Sequence, residues 1–236
     1  MNLEEINRIL MSVQQQCRSV LTEIESKQIL QSIGIPVSPY YMAVSSAEAV
    51  HYAQKIGYPV VLKIVSPDIS HKTDAKGVML NLKNEREVEQ AYKEIMHNAC
   101  QYKADAQIVG VSVQKMAKKG TEVIIGTKRD PVFGPVLLFG MGGIFVEVLE
   151  DVTLKTLPVA DEDIDNMFKE IKLSPLLRGY RENPPADLDF VKDIIFKLAK
   201  FCEHYPQVKE MEINPLFVYP SGEGACAVDA RMFVDN

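Results

Sequence analysis

Two hydrophobic periodicities alternate along this chain. Between Val88 and Ala99, apolar side chains recur at Val88, Ala91, Tyr92, Ile95, Met96 and Ala99. That spacing of three and four lines one face of a helix, which predicts a helix lying on a sheet. Shorter patterns predict helices over Ile164–Ile171 and, with Val191, Ile194, Ile195, Leu198, Phe201 and Cys202, a longer one near the C-terminus. Runs bounded by turn residues read instead as strands: PVVLKIV, VMLNL, IVGVSVQKM, TEVIIGTK, PVLLFG, GGIFVEVL, VKEMEINPLFVY and ACAVDAR, the last two joined through PSGEG.

The polar positions punctuate this pattern. Asn2 with Glu5, Thr22 with Glu25, Ser45 with Glu48 and Asn84 with Glu87 have the spacing in which two side chains satisfy the orphan N–H groups of a helix start. The helix opened at Thr22 is expected to stop at Gly34, ahead of Pro36, and the one opened at Ser45 at Gly57. The architecture implied is α+β in two lobes, with the boundary near residues 115–120. An N-terminal helical segment, residues 1–24, is expected to pack on the C-terminal lobe. A small lobe spans 25–115 and a large one 116–236.

Composition narrows the function classes. The 236 residues carry 26 basic and 32 acidic side chains, a net charge of −6, so no overall positive field gathers nucleic acid or an anionic membrane. No apolar run approaches the roughly 20 residues needed to span a bilayer. Cys17, Cys100, Cys202 and Cys226 form no CxxC pair. They read as small core residues in a reducing, cytoplasmic setting rather than as a zinc or disulfide framework.

The chemistry concentrates in four places. The connection SPDISHKTDAKG, residues 66–77, joins two strands and exceeds the roughly 2 to 5 residues a hairpin needs. Lys63, Lys72 and Lys76 put ammonium groups on or beside it, which suits polyphosphate, although a solvated charged loop has the same composition. At its middle stands His71, and a neutral imidazole is a nucleophile able to carry a phosphoryl group. The FGMGG stretch, residues 139–143, lets backbone N–H groups approach an anion closely or simply forms a tight turn; it is neither a Walker A nor a Rossmann fingerprint. Alternation along EMEINP places Glu210, Glu212 and Asn214 on one face, with Met211 and Ile213 facing the core. If ACAVDAR pairs with it, Glu212, Asn214 and Asp229 converge as hard oxygen donors suited to Mg²⁺, or else as a wet polar face. Gln114 and Glu122 frame the crossing between lobes, where they could bond an adenine edge and ribose hydroxyls.

LTEIESKQILQSIGIPVSPYY, YPVVLKIVSPDISHKTDAKGV, GTEVIIGTKRDPVFGPVLLFGMGG and EINPLFVYPSGEGACAVDAR together resemble the ATP-grasp β subunits of NDP-forming acyl-CoA synthetases, of the acetyl-CoA type. The resemblance runs from about Leu21 to Met232. It implies an ATP-grasp fold with the nucleotide bound between two α+β lobes, and the reversible reaction acyl-CoA + ADP + phosphate = carboxylate + CoA + ATP. It implies a CoA-binding α subunit as partner, in an α2β2 heterotetramer. Lys63 is implied to contact the phosphates, Ser70 and Lys72 the nucleotide beside the catalytic His71, and Gln114, Met116 and Ala117 the adenine. Glu122 would hold the ribose, Asn214 and Asp229 Mg²⁺, and Glu212 a phosphohistidine. The succinyl-CoA relatives have a glycine-rich basic loop where this chain has SHKTDAKG, so their phosphate-loop contacts do not carry over. Two alternatives stay open: a half-site in which only the partner's histidine is phosphorylated, and a nucleotide-sensing subunit without catalysis.

Overall fold

The computed structural model describes residues 1–143, 150–181 and 184–235. The chain opens with helices α1 (Leu3–Gln15) and α2 (Glu23–Ser32). All four predicted N-caps form: the side chains of Asn2, Thr22, Ser45 and Asn84 accept from the N–H three residues on. Only at Thr22 does the box close fully, with Glu25 bonding back to the cap. Glu48 and Glu87 reach one residue further upstream, to Val44 N and Lys83 N.

Residues 38–117 form one compact unit. Its strands β1 (Tyr40–Ala43), β2 (Val60–Val65), β3 (Val78–Leu82) and β4 (Gly110–Lys115) make an antiparallel sheet in the order β1-β4-β2-β3. Helices α3 (Ser46–Ile56) and α4 (Glu85–Tyr102) cover one face. Val88, Ala91, Ile95 and Ala99 are buried there, with Tyr92 and Met96 packed beside them, the face the periodicity predicts. Leu62, Ile64, Val111 and Val113 meet them from the sheet, so the alternate residues of β2 and β4 point away from the helices.

Residues 1–37 and 118–235 make the second unit. Its strands are β5 (Thr121–Asp130), β6 (Gly134–Met141), β7 (Val152–Thr156), β8 (Val208–Val218), β9 (Ala225–Ala227) and β10 (Ala230–Val234). They pair in the order β10-β8-β5-β6-β7, with β9 also on β8. Helices α1 and α2 share the core of this sheet with α5 (Asp161–Glu170), α6 (Ser174–Leu177) and α7 (Leu188–His204).

Four expectations are corrected here. Residues 25–37 belong with the C-terminal unit, not with the small lobe. Ile29, Leu30, Ile33 and Ile35 bury in the same core as Met211, Ile213 and Met232, and Ala227 N bonds Pro36 O at 2.9 Å. The ACAVDAR run is two strands in one register against β8: Val228 N still bonds Pro215 O at 3.0 Å, but Pro215 has no N–H to return the bond, so the ladder is interrupted there. Tyr40–Ala43 and Val152–Thr156 are additional strands. Cys17 and Cys100 are exposed and only Cys202 is buried. The predicted strand at GGIFVEVL falls on residues 144–149 and lies outside the described residues.

Candidate functional site

In the 38–117 unit, the side of the sheet away from α3 and α4 carries the predicted nucleotide groups. Lys63 on β2 and Gln114 on β4 are both buried, at 5% and 1% exposure. Lys63 stands opposite Ser112, whose hydroxyl donates to the Lys63 carbonyl at 3.3 Å. Gln114 Nε2 in turn donates to Ser112 Oγ at 3.0 Å. A glutamine at such depth on the sheet is costly to desolvate unless polar partners meet it, and Ser112, with Ser38 donating to Gln114 Oε1 at 3.4 Å, supplies them. Met116 follows at the end of β4. Its N–H is committed to the Pro59 carbonyl at 3.2 Å, which takes it out of the donors available to an adenine edge. Ala117 ends this unit.

The 66–77 connection is a built structure. Ile69 and Ala75, each 3% exposed, sink into the core of the unit. Asp68 accepts from Gln107 N at 2.7 Å and pairs with Lys103 at 3.6 Å. At the far end Asn98 Nδ2 donates to Lys76 O at 3.1 Å, and Gly77 N to Lys72 O at 2.7 Å. A Cβ on Gly77 would stand 2.5 Å from Ile64 Cγ2, so only glycine lets the loop close onto β2. Between these anchors Ser70 and Lys72 are half-buried while His71 is exposed, its carbonyl accepting from Ala75 N at 3.3 Å.

In the other unit, β5 and β8 pair so that Gly126 faces Glu212. Met211 and Ile213 are buried, at 1% and 0%, while Glu212 and Asn214 lie half-exposed on the opposite face, as alternation predicts. The register slips between Val123 and Ile125, so Asn214 and Pro215 together oppose Ile124; such a bulge re-aims side chains. Asn214 N bonds Asp229 O at 3.2 Å, bringing Asp229 alongside, and Asn214 Nδ2 donates to Glu212 Oε1 at 3.0 Å, which leaves the amide oxygen as the end of that side chain not engaged with Glu212. Two carboxylates and an amide fit Mg²⁺ shared with phosphates and water. Among the described residues no cluster of three or more His, Cys, Asp and Glu side chains could cage a metal by itself.

Glu122 lies four residues before Gly126 on β5, roughly 13 Å along the strand. It borders a cavity of about 690 Å³ with Lys118, Thr121, Gly143, Ala186 and Tyr219. The glycine stretch forms its wall. Gly142 N donates to Glu122 O at 2.7 Å, and a Cβ on Gly143, at φ +65°, would meet Glu122 Oε2 at 2.6 Å. The burial of Tyr219, with Cys226 beside it, pushes its phenol up to about 12, so it meets the cavity as a neutral ring. A second cavity of about 680 Å³ lies on the same face of the sheet, beside Glu210 and Glu212, with Leu138 and Leu154 in its lining. Sequence reasoning singled out neither Tyr219, although it stands within EINPLFVYPSGEGACAVDAR, nor Asp187 behind it, which stands in no motif.

The family model for the ATP-grasp domain matches residues 12–234. The chain belongs to the ATP-grasp family. Two curated relatives from Pyrococcus furiosus are similar over most of their length. The acetate–CoA ligase [ADP-forming] II subunit beta is 45% identical over 98% of both chains, and the I subunit beta 47% identical over 91% of both. Among solved structures, an acetyl-coenzyme A synthetase 1 from Ca. Korarchaeum cryptofilum superposes with a TM-score of 0.84 at 38% identity, covering 98% of this ATP-grasp chain and all of that one. That structure holds coenzyme A and Mg-AMPPCP, with its phosphohistidine segment pointing towards the nucleotide binding site. In this ATP-grasp chain no helix among the described residues is long and apolar enough to cross a membrane.

Proposed function

We propose that this chain is the nucleotide-binding β subunit of an ADP-forming acyl-CoA synthetase of the acetyl-CoA type. It works with a CoA-binding α subunit in an α2β2 assembly in the cytoplasm, and His71 relays the phosphoryl group. The observation that carries the reading is His71 itself: an exposed imidazole on a turn anchored at both ends, on a loop that runs from the end of the strand bearing Lys63. A surface loop with no task needs neither feature.

In this reading the base and ribose occupy the cavity beside Glu122, and the phosphates extend along the same sheet face toward Asn214 and Asp229. Lys63, with Ser70 and Lys72, meets the phosphates, and Gln114 to Ala117 the adenine. Phosphoryl transfer is mainly positioning and charge stabilisation. His71 attacks the phosphorus of the partner's phosphohistidine; a new N–P bond forms as the donor's N–P bond breaks. A terminal oxygen of ADP then attacks that phosphorus, the His71 N–P bond breaks, and the imidazole returns to its starting state. Asn214 and Asp229 would hold Mg²⁺, which supplies positive charge at the β and γ phosphates. Glu212 orients the Asn214 amide and stands ready to pair with an incoming imidazole.

A second reading is favoured by the phosphohistidine segment of the Korarchaeum synthetase, which points at the nucleotide site of that protein: the partner's histidine reaches ADP directly and His71 only binds phosphate. Incubation with γ-labelled ATP and Mg²⁺, with and without the α partner, separates them. The relay predicts acid-labile, base-stable label on His71 that added ADP chases into ATP and that His71→Ala removes along with turnover. Turnover that survives His71→Ala with weakened nucleotide binding establishes the second reading.

A further inference from the structure

The wall of the Glu122 cavity formed by Ala186, Tyr219 and Pro220 is held by one carboxylate that does not itself line it. Asp187 is 8% exposed and both its oxygens are used. Oδ1 accepts from Phe190 N at 3.2 Å, capping α7, while Oδ2 accepts from Gly222 N at 2.9 Å and Gly224 N at 2.8 Å. Its own N–H donates to Tyr219 O at 2.9 Å, and Tyr219 N donates to Gly224 O at 2.9 Å. A single side chain thereby ties the start of a helix, the end of β8 and the 220–224 turn into one piece.

The turn is not merely a connection. It presents Glu223, which pairs with Lys118 at 3.0 Å, and the Lys118 ammonium stands 5.8 Å from the centre of the Tyr219 ring. Lys118 and Tyr219 both line the cavity. Moving the turn therefore moves an aromatic face and a cation together. Groups that pre-organise such a surface lower the cost of binding without touching the ligand.

We propose that Asp187 is a positioning residue for the base end of the nucleotide, setting where the Tyr219 ring and Lys118 meet it. This rests on the reading of the Glu122 cavity as the base and ribose site. In Asp187→Asn one oxygen is replaced by an NH₂ group, which faces either the Phe190 N–H or the two glycine N–H groups, so at least one bond becomes a donor-to-donor clash. A second route to the same turn is Gly222→Ala. Gly222 has φ +84° and open space around its Cβ position, so alanine there strains the turn's backbone and nothing else.

The test is calorimetric titration of ADP into the wild-type chain and both variants, with unfolding temperatures recorded, followed by nucleotide KM and kcat in the α–β complex. The proposal expects the ADP dissociation constant and KM to rise about tenfold in Asp187→Asn, and in the same direction in Gly222→Ala. It expects kcat to stay within about twofold, because the phosphate end is untouched. Wild-type protein that binds ADP while folded variants bind it equally well overturns the positioning role and leaves the nucleotide site standing. Should Asp187→Asn fail to fold, unchanged affinity in Gly222→Ala has the same force. Wild-type protein that binds no ADP overturns the site reading, and this inference with it.

Discussion

At Gly143 the addition of one methyl group reaches the carboxylate assigned to the ribose. The residue sits at φ +65° and its Cβ would approach Glu122 Oε2 to 2.6 Å. Gly143→Ala is expected to combine left-handed strain of about 1 kcal/mol with displacement of Glu122. ADP affinity measured by titration should fall five- to tenfold, with only a small change in melting temperature. Glu25 shows electrostatics deciding stability instead. Burial raises its pKa, but the fork of Arg18, at 2.6 and 3.0 Å, and the N–H and hydroxyl of Thr22 more than offset this and hold it below the usual 4.5. A carboxyl whose folded pKa is depressed contributes stability above its unfolded value and loses it as pH falls through the folded one. Glu25→Gln should therefore lower stability by about 1 kcal/mol at pH 7 in denaturant melts. The gap should begin to narrow as the pH drops below about 4.5, where the unfolded carboxylate takes up a proton, and close only below the lower folded value, where the wild-type carboxyl is neutral in both states.

Among the elements, the 66–77 loop is the clearest case of a long connection made stiff. Its length and charge were legible in sequence, but its anchoring was not. Ile69 and Ala75 read as isolated apolar residues in a polar stretch, and the partners of Asp68 and Lys76 lie 39 and 22 residues away. Asp68→Ala removes the acceptor of Gln107 N and the partner of Lys103. Amide exchange at Gln107 and across 69–77 should accelerate at least tenfold, consistent with loss of about 1 to 2 kcal/mol of local stability. If His71 acts from a fixed perch, turnover should fall with it. The terminal strands make the opposite point. Alternation alone assigned Glu212 and Asn214 to one face, since side chains in a strand turn over at every residue. Which residues Asn214 stands beside depended on the bulge against β5 at Pro215 and on the register of β9 and β10 against β8, which sets it opposite Asp229.

The whole molecule comprises two units with separate cores, one built on residues 38–117 and one on the remainder. Ile95 is fully buried in the first. Ile95→Ala should cost about 2 to 5 kcal/mol, and hydrogen exchange should locate the lost protection within 38–117, leaving the amides of β5 and β8 unchanged. Uniform loss across both units would mean that they unfold as one. At this scale the reach of the sequence is clear. By itself it determined helix starts at Asn2, Thr22, Ser45 and Asn84, the buried face of α4, the alternation of β8, and the family to which the chain belongs. Each of these rests on residues within about a turn or a strand of one another, or on motifs read in order. Only the tertiary structure decided that residues 25–37 pack with the C-terminal unit, that β5 lies between β6 and β8, and that Asp187 secures the Tyr219 wall. Those outcomes depend on which distant apolar faces and unpaired backbone groups find each other, and local pattern carries no record of that choice.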